Sequence, residues 1–244
     1  MKKTLLTILL IFAVFALLAA PAAAEEQTDK VILVSGYGLS ATSPDKVTIT
    51  FAVETVNPDA KVAQAENAEI MADVIAAMKS AGITDENIKT SGYTISSYVL
   101  SEYNPGEWKN GTTVYEVKNS VEIISYNVDM AGSYIDTAVQ AGANSVSGLQ
   151  FGLSDAKQII ERNAAIISAV KSARADADSV SSALGLKITG TGTINVNQGY
   201  TPISYANVNM DTMLMKTGSA ERVPTTIESG EIKTTATVSI VYTY

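Results

Sequence analysis

The stretch Lys46-Val-Thr-Ile-Thr-Phe-Ala-Val-Glu-Thr-Val56 has the clearest pattern in the sequence. Apolar side chains occupy alternate positions from Val47 to Val53, with threonine and alanine between them. Successive side chains of a β-strand point to opposite faces, so this alternation predicts a strand with one buried face.

A helix is predicted directly after this strand. Asn57-Pro58-Asp59 supplies a cap at Asn57, a proline suited to the first helical position and an acidic residue in the first turn. Gly82 is the expected end. One helical face carries the apolar residues Ala63, Ile70, Val74, Ala77 and Ala81. Such a helix is expected to pack on a sheet.

The alternation of strand and helix patterns continues to the C-terminus. Further strands are predicted at 31–34, 90–103, 112–128, 146–153, 186–196 and 231–244. A second helix is predicted from Met130 to Ala141, capped by Asp129, with Ala131, Tyr134, Ile135 and Ala138 facing inward. The pattern predicts an α+β fold, in which a largely antiparallel sheet carries packed helices. Residues 25–244 are expected to form this domain, with a sub-domain division near residue 128.

The longest predicted helix starts at Ser154-Asp155 and ends before Gly185. It carries an apolar seam of Ile166, Val170, Ala173, Ala177, Val180 and Leu184. Small residues let a helix approach a sheet or a second helix closely, so either partner fits the seam.

The first 24 residues have the pattern of a secretory signal peptide. Lys2 and Lys3 precede an apolar run, and Ala22-Ala23-Ala24 forms a small-residue cleavage site. The prediction is export with cleavage; an uncleaved membrane anchor is the alternative. Cleavage leaves 15 basic and 25 acidic residues, which predicts an acidic extracytoplasmic protein without strong membrane insertion.

Composition excludes several kinds of chemistry. The chain has no cysteine and no histidine, which removes disulfides, thiol nucleophiles, Ser-His-Asp triads and the usual zinc and haem ligands. A formal charge of −8 argues against a nucleic-acid partner. The prediction is a protein that is not an enzyme and has no cofactor, catalytic residue or metal site. The sequon at Asn110 is interpreted as incidental.

Glycine motifs and serine-enzyme motifs are present but lack their usual context. Gly36-Tyr37-Gly38 and Gly190-Thr191-Gly192 have no third glycine and no following helix, so we interpret them as strand bends or bulges. Strings typical of penicillin-recognising enzymes occur in the wrong order, and we interpret them as chance. These strings are Ser154 to Lys157, Ser168 to Lys171, Ser125-Tyr126-Asn127 and Lys216-Thr217-Gly218.

The remaining polar and aromatic candidates are also weak. Asp176 and Asp178 would point about 200° apart on a helix, so they cannot share one ion. We interpret the three methionines Met210, Met213 and Met215 as flexible apolar side chains at a contact surface, and not as ligands of a copper ion. Trp108, at a predicted hairpin tip, fits a ligand contact and a folded-back tip equally well. The stretch 198–230 lacks periodicity, which is typical of functional or mobile loops.

The sequence resembles the SIMPL-domain family, through matches that run in order along residues 30–244. The segments that carry the resemblance are Val34-Ser35-Gly36-Tyr37-Gly38, Pro44-Asp45-Lys46-Val47, Val53-Glu54, Ala81-Gly82-Ile83, 88–93, 141–144, 151–155, 183–186, 227–230 and 236–242. The resemblance implies an α+β fold and kinship with periplasmic or envelope proteins. Relatives include an immunogenic protein that assembles into a channel-like ring and one linked to oxidative-stress defence.

The resulting hypothesis is an exported, non-enzymatic, envelope-associated protein that assembles into a symmetric homo-oligomer. The resemblance supplies no catalytic residue, and the chain departs from the family around Trp108 and Met210. The alternative is a module that binds a small molecule or peptide beneath 103–111 and 198–230.

Overall fold

The structure is a computed structural model that describes residues 30–101, 108–197 and 225–244. The predicted signal peptide, the three clustered methionines and most of the 198–230 stretch lie outside the described residues. The strands are β1 (Val31–Thr42), β2 (Lys46–Asn57), β3 (Ile88–Val99), β4 (Thr113–Ser125), β5 (Ser145–Gly152), β6 (Gly190–Asn197) and β7 (Ile232–Thr243). The helices are α1 (Ala60–Ser80), α2 (Ala131–Gln140) and α3 (Asp155–Ala183).

The strands form two antiparallel sheets. The small sheet has the order β1-β7-β6 and the large sheet has the order β3-β4-β2-β5. The predicted α+β class is confirmed, with two sheets in place of one. Consecutive strands β1 and β2 belong to different sheets, so the chain crosses between them within residues 43–45. The predicted division near residue 128 stays a prediction.

The large sheet packs its apolar face on α1 and α2. The four alternating side chains of β2 predicted to be buried have no exposed surface: Val47, Ile49, Phe51 and Val53. The inward residues predicted for α2 are all buried as well. No side chain caps this helix, because Asp129 lies in a 3₁₀ turn before Met130; the predicted Asp129 cap is therefore wrong.

The face that α1 buries is turned by one position from the predicted face. Its buried residues are Ala63, Asn67, Met71, Val74 and Met78. The pattern missed Asn67 because its amide is polar, yet it donates to the carbonyl oxygens of Val53 and Val117 at 2.8 and 3.0 Å. These bonds place a polar residue at the centre of the helix face and move Ile70 and Ala77 to its margin. Asp59 caps α1 by accepting from the Lys61 N–H at 2.8 Å. The predicted cap at Asn57 is therefore wrong, because the helix starts at Ala60 and Pro58 precedes it.

In the small sheet, the backbone of β1 contacts the backbone of α3. A Cβ added to Gly36 would lie 2.0 Å from the carbonyl oxygen of Ala169. A Cβ added to Gly38 would lie 2.0 Å from that of Ala165. Because the pairing of β1 with β7 runs without a register shift, the predicted bend or bulge at Gly36 is wrong. A shift does occur between Thr191 and Ile194, which confirms the second prediction.

The residues of α3 that face β1 are small for the same reason. Ala165, Ala169, Ala173 and Ala177 are fully buried and recur every four residues. The predicted seam is therefore only partly right. Val170, Val180 and Leu184 are exposed, because larger side chains fit only beside the line of closest contact.

We expect Gly38→Ala to lower the free energy of unfolding by about 3 kcal/mol, the upper end for overpacking, because the new methyl group meets helix backbone. Gly192→Ala is the matched control, since its Cβ would lie 3.4 Å from the nearest atom and should cost less than about 1 kcal/mol. Urea unfolding of both variants measures the difference. Equal midpoints would contradict the close contact.

Candidate interaction surface

The first candidate, Ser154 with Lys157, forms a helix cap. The Ser154 hydroxyl donates to Asp45 Oδ2 at 2.6 Å and accepts from the Lys157 backbone N–H at 3.3 Å. The Lys157 ammonium donates to the carbonyl oxygen of Ser43 at 2.8 Å. The serine oxygen thus satisfies backbone at the start of α3, and the lysine is bound to the β1–β2 connection.

Asp45 joins that connection to α3. Its second carboxylate oxygen accepts the Ser154 backbone N–H at 2.7 Å. Partial burial disfavours the charged form, but the two bonds from Ser154 and the positive charge of Lys157 outweigh it. The pKa of Asp45 therefore lies below its usual 3.8.

The remaining residues of the serine-enzyme strings and the aspartate pair either bond to structural partners or do not lie at a common site. The Ser125 hydroxyl bonds the Tyr134 hydroxyl at 3.1 Å in the core. Asp178 accepts from Arg174 at 3.0 Å, and the Arg174 guanidinium lies 5.4 Å from the centre of the Tyr242 ring. Asp176 is exposed. Lys216-Thr217-Gly218 lies outside the described residues.

The β3–β4 connection is described only at its closing end. Trp108 is half-buried and Asn110 is exposed. The Gly111 N–H donates to the Leu100 carbonyl oxygen at 2.9 Å, so this end of the connection is fixed to β3. Both interpretations of Trp108 stay predictions.

Residues 30–101, 108–197 and 225–244 contain neither a cluster of metal ligands nor a helix suited to a bilayer. Among them, no group of three or more acidic residues is placed to hold a metal ion. Over the same ranges, no helix has both the length and the apolarity to cross a bilayer.

The outer face of β1 is the largest departure from the predicted burial. Its side chains point away from α3, and four of them are large, apolar and exposed: Val31 at 43%, Leu33 at 68%, Tyr37 at 59% and Leu39 at 45%. They lie in one row on the same face of the strand, in which exposed Ser35 separates Leu33 from Tyr37. We call this row the β1 outer face.

This surface was not predicted, because the sequence pattern indicated a strand only at 31–34. The signal was available: Val31, Leu33, Tyr37 and Leu39 alternate with Ile32, Val34 and the two glycines. Apolar or small residues on both faces are typical of a strand covered on both sides. Among the described residues only one face is covered, by α3.

Fold and surface together define an α+β protein with an open-faced three-stranded sheet. The sequence profile of the SIMPL family, described as a protein of unknown function (DUF541), matches residues 32–242. The chain belongs to the SIMPL family.

Two relatives illustrate its kinship. A "26 kDa periplasmic immunogenic protein" of Brucella melitensis is 29% identical over 157 residues, or 63% of each chain. The chain thus aligns with slightly less than two thirds of that relative's length. An "Uncharacterized protein YggE" of Edwardsiella ictaluri is 25% identical over 189 residues, or 77% of each chain.

The Asp45 bonds make stability depend on pH. Because the folded-state pKa is lowered, the stabilisation is present above the unfolded value of 3.8 and is lost as pH falls through the folded value. Asp45→Asn should lower the free energy of unfolding by about 1–2 kcal/mol at pH 7. The difference in unfolding free energy between variant and wild type should disappear below pH 3.8. Urea unfolding between pH 7 and about pH 2.5 measures this gap; a constant gap would contradict the assignment.

Proposed function

We propose that the chain is an exported, non-enzymatic protein of the cell envelope that assembles into a symmetric homo-oligomer. The observation that carries this proposal is the β1 outer face. Contiguous exposed apolar rows on soluble proteins usually mark contact surfaces. The row carries no charge, although the chain has a formal charge of −8.

Export is supported by two independent features. The sequence before residue 25 has the order of a signal peptide, with basic, apolar and small-residue parts. The Brucella relative is named as a periplasmic protein. We place this chain in the same kind of compartment, as a mature protein of residues 25–244.

A non-enzymatic role is supported by how the candidate groups are used. Ser154, Lys157 and Asp45 bond one another or nearby backbone at the start of α3. A serine nucleophile needs a free hydroxyl next to a base, and here the hydroxyl is a cap.

The alternative function is a module for a small molecule or peptide near the β3–β4 connection. Half-buried Trp108 favours it, because an aromatic side chain on a loop is a common ligand contact. It is the only tryptophan, so its fluorescence reports on that connection alone. A ligand there would change the emission at a constant protein mass, whereas assembly through β1 changes the mass.

The test is the mass of residues 25–244 by size-exclusion chromatography with light scattering. We expect a discrete multiple of the monomer mass, and a smaller species for Leu33→Lys with Tyr37→Lys, because the two charges interrupt the apolar row. Tyr93→Lys with Ile95→Lys, at exposed positions of β3, is the control and should keep the wild-type mass. A wild-type monomer would contradict the proposal.

A further inference from the structure

The small sheet has two free edges among the described residues. With the order β1-β7-β6, the strands β1 and β6 each pair with β7 alone. Both pairings are antiparallel, so β1 and β6 run in the same direction. A second copy that continues the sheet therefore brings its β6 beside β1 without being turned over.

Neither edge has the usual protection against pairing. Natural edge strands carry lysine, proline or other charged residues that stop a second chain from adding to them. The eight residues of β6 and the twelve of β1 include no charged residue and no proline. Two copies of an acidic protein repel each other, but these two uncharged strands can approach each other without like-charge repulsion.

The helix covers the small sheet unevenly. It lies over β1, and this leaves the same face of β6 open. Ile194 is 56% exposed, although its register partner Ile240 in β7 is 2% exposed. An apolar side chain on the helix-facing side of β6 thus lacks a cover among the described residues.

The start of α3 carries an exposed apolar side chain next to a contact with β1. Arg174 lies over the Tyr242 ring, so the flank one residue beyond the alanine line faces β7. Glu161, which accepts from Ser40 of β1, continues that line. Ile160 directly precedes Glu161 and is 62% exposed. Val180 and Leu184, nearer the end of α3, are exposed as well.

Two-fold pairing between the edges of two β1 strands would bring the two α3 helices too close together. Paired strands lie about 4.8 Å apart. Because each α3 lies directly above its own β1, the two helix axes would be almost as close, whereas packed helices need about 8–10 Å. A β6 edge has no helix above it and avoids this clash.

We propose that copies join head to tail, with β1 of one copy paired in parallel with β6 of the next. Ile160, exposed next to the Glu161–Ser40 contact, is then the apolar side chain that meets Ile194 of the neighbour. This inference rests on the proposed function and adds an edge contact to it, because pairing in the plane of the sheet leaves the β1 outer face on the open side. Such contacts close into a ring or extend as a fibre.

The test uses one variant for each edge, in residues 25–244. Leu33→Lys with Ile160→Lys places one charge on each face beside β1. Ile194→Lys with Asn195→Lys does the same beside β6. Thr94→Lys with Ile95→Lys, on the free edge β3 of the large sheet, is the matched control. All six positions are exposed, so the variants should fold.

Light scattering is then measured on each variant and on an equimolar mixture of the two edge variants. We expect each edge variant to be a monomer and the mixture to form a dimer, because one intact β1 can meet one intact β6. The control should keep the wild-type mass.

Three results would overturn the interface. Edge variants that keep the wild-type mass would show that assembly uses another surface, while leaving the proposed function intact. Edge variants whose mixture stays monomeric would exclude the head-to-tail arrangement. A wild-type monomer would overturn this interface together with the proposed function.

Discussion

The backbone contact between β1 and α3 is the constraint on which the small sheet depends. Glycine at positions 36 and 38 and alanine every four residues on α3 let the helix lie directly on an edge strand. A helix with larger side chains would stand farther off. The position over the edge has a cost, because β6 and the outer face of β1 stay uncovered among the described residues. The same contact that holds the small sheet to its helix thus creates the surfaces assigned to assembly.

The two sheets are stabilised differently. The large sheet buries large side chains such as Phe51, Met71 and Met78, together with an amide that bonds two strands. The side of α3 that faces the small sheet buries mainly alanine methyl groups, which remove less apolar surface from water per residue. Additional burial therefore matters more for the small sheet. Contact with a second copy would supply that burial. Within one copy, the bonds between Asp45 and Ser154 fix the start of α3 at the point where the chain crosses between the sheets.

Local pattern predicted much of this fold. The alternation in β2, the stop at Gly82 and the start of α3 at Ser154 are local signals, and the structure confirms them. What failed depends on partners distant in sequence. The buried face of α1 follows from bonds of Asn67 to two strands, and Gly36 is explained only by Ala169, 133 positions away. The β1 outer face was not predicted because residues 35–42 hold two glycines, two serines, an alanine and a threonine, which obscure the alternation of Leu33, Tyr37 and Leu39.

Residue-resolved hydrogen exchange on residues 25–244 tests the central claim, that the β1 and β6 edges are covered by a second copy. In a free edge strand, alternate amides face solvent and exchange rapidly, whereas in a strand paired on both sides all of them are protected. The account predicts protection at consecutive residues of β1 and β6, with alternating protection in β3. Alternating protection in β1 and β6 as well would contradict it.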